Sequence, residues 1–191
     1  MTGRFEVPEH FGTHIDAPIH FVPGTASIDQ VPASKFILPA FVLDVRQEVV
    51  ENSDYVLTTD VIRRFEQDGE IAPNSVVLLL TGWDKHFASW ERYRNVGKDN
   101  RMHFPGYSND AASFLVNERH VAALGIDTLS IDAGIDEAYS VHNMALRQNL
   151  YLIENLTRLD QLPVRGAILF CGPLAIEGGS GSPARVLAMV L

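Results

Sequence analysis

Cysteine is almost absent from this chain. Cys171 stands alone among 191 residues, which excludes an internal disulfide framework and a thiolate cluster for zinc. No apolar run reaches the length of about 18 residues that a membrane-crossing helix needs, and the N-terminus lacks a charged-then-apolar signal pattern. Basic residues are also scarce: 15 Lys and Arg face 24 Asp and Glu, for a net charge of -9. A surface of that sign disfavours nucleic acid and anionic membranes as partners. Repeats, low-complexity tracts and linkers are missing too. These absences describe a cytoplasmic protein whose partner is a small molecule.

What is present is an ordinary globular composition, 46% hydrophobic and 20% charged. A chain of this length is most simply one domain, able to bury about 70% of its unfolded surface. Apolar runs at Phe36–Val45, Val76–Leu80, Val121–Ile126, Tyr151–Glu154, Gly166–Cys171 and Arg185–Leu191 read as strands. The continuous run Val76–Leu80 has the look of a strand buried on both faces. Helices are expected from an N-cap at Thr59 to about Asp68, from Ser108 to about Arg119, and over Val141–Gln148. Phe87, Trp90 and Tyr93 recur at helical spacing and read as core. Alternation of strands and helices predicts an α/β fold.

The chemistry concentrates in His10-Phe11-Gly12-Thr13-His14-Ile15-Asp16-Ala17-Pro18-Ile19-His20, which holds three of the seven histidines. His10, His14, Asp16 and His20 fall on even positions, so an extended chain points them to one side. Fully extended, the run spans about 33 Å, too far for one centre. The chain must bend, and Gly12 and Pro18 mark where. His14 and Asp16 are close enough to grip one ion, and imidazole with carboxylate suits zinc, manganese or iron. A solvated loop, or a hydrogen-bonded His14–Asp16 pair, is the alternative for the same residues.

A second constellation is His142 with Glu154. One straight helix would hold them about 18 Å apart. A helix over Val141–Gln148, a reversal at Asn149 and a strand from Tyr151 instead double the chain back, so both side chains can meet one centre. On residues alone, a helix-capping histidine and a salt-bridged strand acid remain open. His86 and His103 have no partner at ligand spacing, and His120, at a helix end where the dipole favours a cation, takes no catalytic role. Asp127 and Asp132 could be ligands, but they read better as braces accepting hydrogen bonds from loop amides. The Gly-rich turn from Ile176 to Pro183 lacks the Lys-Ser/Thr and following helix of a phosphate cradle.

The pattern His-x-Gly-Thr-His-x-Asp-x-Pro-x-His resembles the signature of the cyclase-like metal-dependent hydrolases, which include bacterial kynurenine formamidases and isatin hydrolases. His-x₁₁-Glu followed by Asn-Leu resembles that family's second metal motif, and Gly-Ile-Asp-Thr-x-Ser-Ile-Asp is similar text. The resemblance runs from His10 to Arg185. It implies an α/β fold of the swivelling β/α/β type with a mixed central sheet. It also implies a single domain over 1–191 that lacks the family's usual N-terminal strand. His10, His14, Asp16, His142 and Glu154 become the expected ligands of one or two divalent ions, zinc or manganese, with Asp16 bridging and His20 moving the proton. The implied reaction is hydrolysis of a small amide, formamide, lactam or lactone through a metal-bound hydroxide. The implied assembly is a homodimer or homotetramer. A metal-dependent cyclase or dehydratase on the same site, and a catalytically inactive metal-binding protein, are the other classes this text allows. The ending Glu-Gly-Gly-Ser-Gly-Ser-Pro-Ala-Arg is unlike that of dedicated kynurenine formamidases.

Overall fold

A computed structural model describes residues 2–190. Seven strands form a mixed sheet that closes on itself: β1 (His14–Asp16), β2 (Ile37–Asp44), β4 (Val76–Leu80), β6 (Ala123–Ile126), β7 (Tyr151–Glu154), β8 (Ala167–Pro173) and β9 (Gly181–Val190). The order around the barrel is β1-β7-β6-β4-β2-β8-β9. β2, β4, β6 and β7 run parallel, whereas β8 and β9 pair antiparallel and join on beside β2. β3 (Val56–Leu57) and β5 (Gly106–Tyr107) make a separate parallel pair. The helices are α1 (Arg46–Glu51), α2 (Thr59–Phe65), α3 (Trp90–Arg94), α4 (Asn109–Asn117) and α5 (Ser140–Arg147). Among the described residues, no helix is long and apolar enough to cross a membrane.

β4 shows why the barrel has two cores. Val76, Leu78 and Leu80 point inward with Ile15, Val42, Ile153 and Leu169. Val77 and Leu79 point outward, where Leu115 of α4 and Leu146 of α5 cover them. All five side chains of β4 are buried, and each contributes about 1.5–3 kcal/mol of transfer free energy. The continuous apolar text is therefore the mark of a strand covered on both sides.

β1 is only three residues long, yet it closes the barrel. It pairs antiparallel with β7 on one side, His14 opposite Glu154, and with β9 on the other, Asp16 opposite Gly181. Ile15 faces the interior core, so period-two alternation turns His14 and Asp16 to the outer face, beneath α5.

Several boundaries differ from the sequence reading. Thr58, not Thr59, holds the N-cap position of α2, without a side-chain cap bond, and a 3-10 turn carries Glu66–Asp68. Ser108 does cap α4, its Oγ accepting from the Ala111 amide, but that helix stops at Asn117. The last strand starts at Gly181, and its expected end at Leu191 lies outside the described residues. Of the aromatic trio, only Tyr93 is core; Phe87 is 59% and Trp90 62% exposed. α3 is a little over one turn long, too short for helical spacing to bring three side chains to one face.

Candidate metal centre

The N-terminal motif folds as two bends around β1. Gly12 takes a φ of +58°, a left-handed angle that glycine adopts at no steric cost. That turn brings His10 back against β1, its Nδ1 2.6 Å from Asp16 Oδ1. Pro18 opens a 3-10 turn over Pro18–His20, which returns the His20 ring to stack on His10 at 3.9 Å between centroids. The His20 ring has no hydrogen-bond partner among the described residues, and its centroid lies 6.2 Å from that of His142.

The second motif doubles back as its text suggested. α5 ends at Arg147, Asn149 takes a φ of +58° and β7 starts at Tyr151. His142 on α5 and Glu154 on β7 thereby face Asp16 together. His142 Nε2 lies 3.0 Å from Asp16 Oδ2 and 3.3 Å from Glu154 Oε1. His14 Nε2 lies 3.3 Å from Asp16 Oδ1 and 3.4 Å from Glu154 Oε2. Two donor groups result, His10–His14–Asp16 and Asp16–His142–Glu154, and within each the donor atoms all lie within 4.8 Å of one another. Asp16 belongs to both.

The hydrogen bonds behind these rings fix what the front atoms can do. His14 Nδ1 faces the Gly12 carbonyl at 2.8 Å, an acceptor, so Nδ1 carries the proton. Asp132 faces His142 Nδ1 at 2.5 Å and also accepts from the Val141 and His142 amides. In the neutral rings both Nε2 atoms are then lone pairs aimed at carboxylate oxygens. Acceptor against acceptor is repulsive unless a proton or a cation sits between them. Imidazoles oriented by a carbonyl or carboxylate on the far nitrogen are the arrangement of metal-ligating histidines. The donor set of three imidazoles and two carboxylates fits a divalent ion such as zinc or manganese.

With protons rather than an ion in that space, the electrostatics show the same demand for positive charge. Burial would raise Asp16, yet hydrogen bonds from His10, His14 and His142 hold it well below the usual carboxylate range. Burial and the adjacent Asp16 push Glu154 up. Burial opposes a charged His14, but Asp16 and Glu154 outweigh it and raise that ring to about 8. His20 behaves oppositely. Burial takes it down to about 4 against the pull of Asp16, with the neighbouring imidazoles adding to the fall.

All six residues singled out in the sequence meet here: His10, His14, Asp16, His142 and Glu154 as candidate ligands and His20 beside them. Asp127 and Asp132 are braces, as expected. Asp127 ties the end of β6 to the end of β4 by accepting from the Thr81 and Gly82 amides and from the Thr81 hydroxyl. His103 bonds Asp54 and Asp99 and stands outside the cluster. Sequence reasoning missed Ser180, which bonds His10, and Glu9, which accepts from Ser180. It also missed Phe21 and Tyr139, which stand 4.7 and 6.0 Å from the His142 ring. A cleft of about 680 Å³ between β9 and residues 156–162 includes none of the six.

A barrel whose closing strand sets His14 and Asp16 against His142 of α5 and Glu154 of β7 defines an α/β protein with a candidate metal centre. The chain belongs to the cyclase family, whose model matches residues 3–133. It is 35% identical to the isatin hydrolase of Roseibium aggregatum, over 95% of this chain and 72% of that one. The kynurenine formamidase of Paracidovorax citrulli is 28% identical over 93% of this chain and 74% of its own. Among solved structures, isatin hydrolase A from Labrenzia aggregata bound to benzyl benzoate superposes with a TM-score of 0.91 at 38% identity, covering 96% of this chain and 74% of that one. A structure described as a potential metal-dependent hydrolase with cyclase activity gives 0.75 at 28% identity, over 97% and 81%.

Proposed function

We propose that this protein is a metal-dependent hydrolase that cleaves a small non-peptide amide, cyclic amide or ester. The observation that carries the reading is the pair of Nε2 atoms on His14 and His142, both facing oxygens of Asp16 and Glu154 with their Nδ1 atoms fixed from behind. That arrangement suits a cation. His10, His14 and Asp16 would hold one zinc or manganese ion, and Asp16, His142 and Glu154 a second, with Asp16 shared. Such an ion supplies Lewis acidity, lowering the pKa of bound water towards about 7 and polarising a carbonyl. The similarity to an isatin hydrolase and to a kynurenine formamidase supports amide C–N bonds in small aromatic molecules as the substrate class.

The chain's own residues account for proton transfer and placement. His20 is neutral at pH 7, free of internal partners and beside the donor atoms, so its ring can take a proton from water and return it to the leaving nitrogen or oxygen. Phe21 and Tyr139 pack 5.4 Å apart over His142 and offer an apolar wall for a flat substrate. Tyr139 holds a φ of +50°, a strained angle for a bulky residue, and that angle sets its ring beside the site.

The test joins metal analysis of the untagged protein to a panel of isatin-like lactams, N-formyl arylamines and aryl esters. The reading requires bound divalent ion and turnover of at least one class, lost on chelation and regained with zinc or manganese. Metal without turnover of any class would leave a binding protein, and chelator-resistant turnover would remove the metal from the chemistry.

A further inference from the structure

Glu9 and Ser180 lie 171 positions apart and belong to neither metal motif, yet they meet behind His10. The Ser180 hydroxyl is 2.6 Å and its amide 2.9 Å from Glu9 Oε2. His10 Nε2 is 2.9 Å from the same hydroxyl. Glu9 Oε2 thus accepts from both the amide and the hydroxyl of Ser180.

A hydroxyl has one proton to give. The Ser180 proton goes to the Glu9 carboxylate, which leaves an oxygen lone pair facing His10. His10 Nε2 must therefore be the protonated nitrogen, donating to Ser180. The other nitrogen, Nδ1, is the atom beside Asp16. His14 and His142 are fixed the opposite way, with Nδ1 protonated and Nε2 in front. His10 thus enters the centre through a different nitrogen from its two companions.

We infer that Glu9, acting through Ser180, is a positioning residue that sets the tautomer of His10 and commits Nδ1 to the metal. This rests on the metal-centre reading above and names a control within it. Without the relay, a neutral His10 would gain by placing its proton on Nδ1, where it can bond Asp16. The ring would then have to surrender that bond and change tautomer before binding an ion. With the relay, the Nδ1 lone pair is already presented.

The Gly-rich turn is what lets the three residues meet. A Cβ at Gly181 would lie 2.6 Å from His10 Cε1 and 2.5 Å from the Ile15 carbonyl, and one at Gly179 would come to 3.2 Å from the Glu9 carboxylate. Gly181 must therefore be bare for His10 to close on Ser180, and Gly179 leaves room beside the Glu9 carboxylate. The Ser180 carbonyl also accepts from the Ala17 amide at 2.9 Å, which pins the turn to the strand that carries Asp16. The text that fails as a phosphate cradle thus serves as a socket for a metal ligand's far side.

The experiment titrates Zn²⁺ into the metal-free protein and its Ser180→Ala, Ser180→Thr and Glu9→Gln variants by competition with a chromophoric chelator. Partners of this kind behind a ligand are worth about 10–100-fold in metal affinity. Ser180→Ala should lose that factor, Ser180→Thr should recover most of it, and Glu9→Gln should fall between. Melting of the four metal-free proteins should agree closely, since the turn keeps its backbone bonds. In ¹⁵N-labelled Zn²⁺-loaded protein, His10 should show a metal-bound Nδ1 and protonated Nε2, whereas His14 and His142 show the reverse. Equal affinity in Ser180→Ala, or an Nε2-bound His10, overturns the inference while leaving the centre standing. Failure of the unaltered protein to bind Zn²⁺ or Mn²⁺ overturns both.

Discussion

Glu154→Gln separates a metal ligand from a structural acid, because the two roles predict opposite signs. In the metal-free protein Glu154 is a buried carboxylate facing Asp16, and burial together with that neighbour disfavours its charge. Glutamine keeps the shape and the carbonyl that accepts from the Ile131 amide at 2.9 Å, but removes the repulsion. The metal-free variant should therefore melt at or slightly above wild type. Saturating ion should act in the other direction. At a thousandfold excess over Kd, a ligand adds about 4.1 kcal/mol to the folded state, or about 8–16 °C in Tm for a chain of this size. A hundredfold weaker site loses about 2.7 kcal/mol of that, so the metal-induced shift should shrink by about 5–11 °C. If Glu154 only balances His14 and His142, removing its charge breaks a buried ion pair at about 3–5 kcal/mol. The metal-free Tm would then drop by about 6–20 °C with no change in the metal-induced shift. Thermal melts of both proteins, with chelator and with zinc or manganese, decide it, and that second pattern would refute the assignment.

Asp16→Asn should strip the centre, since it removes the one carboxylate both donor groups share; full occupancy by elemental analysis would show that Asp16 is not a principal ligand. His20→Ala should keep its metal and lose about 10²–10⁴ in turnover, whereas a metal-free His20→Ala would make His20 a ligand. Asp127 supplies the pH test away from the metal, because burial pushes its carboxyl up to about 6 from an ordinary 3.8. A raised carboxyl favours the fold below about pH 4, and that contribution, at most about 3 kcal/mol, fades as pH rises through 6. The Tm of wild type relative to Asp127→Asn should therefore fall between pH 4.5 and 7, and a flat difference would show that Asp127 does not titrate there.

The features legible in the sequence were those written locally. The bends at Gly12 and Pro18 follow from backbone preferences of single residues, and the reversal at Asn149 from its tolerance of left-handed angles. The two-sided burial of β4 follows from an unbroken apolar run. Closure of the barrel is different in kind. β1 has too few residues for periodicity to name its partners, and its pairing with both β7 and β9 is settled by which edges the rest of the sheet leaves free. The Glu9–Ser180–His10 relay was equally hidden, since no spacing rule links residues 171 apart. Phe87 and Trp90 misled because helical spacing was read where α3 makes little more than a turn.

That β1 both closes the barrel and carries two candidate ligands has a physical consequence for the centre. A loop bearing His14 and Asp16 would need the ion itself to order it, at about 1–2 kcal/mol for each backbone residue fixed. Here the two ladders beside β1 and the buried Ile15 side chain meet that cost during folding. His142 and Glu154 are fixed in the same way, by Asp132 behind one and by the β7 backbone beneath the other. The ion would therefore meet donors that are already placed, and its binding energy would go into affinity rather than into ordering the chain. The same economy leaves the site dependent on the barrel. Any change that parts β1 from β9, such as a side chain at Gly181, moves His10 and Asp16 together, so barrel closure and metal affinity should be lost as one.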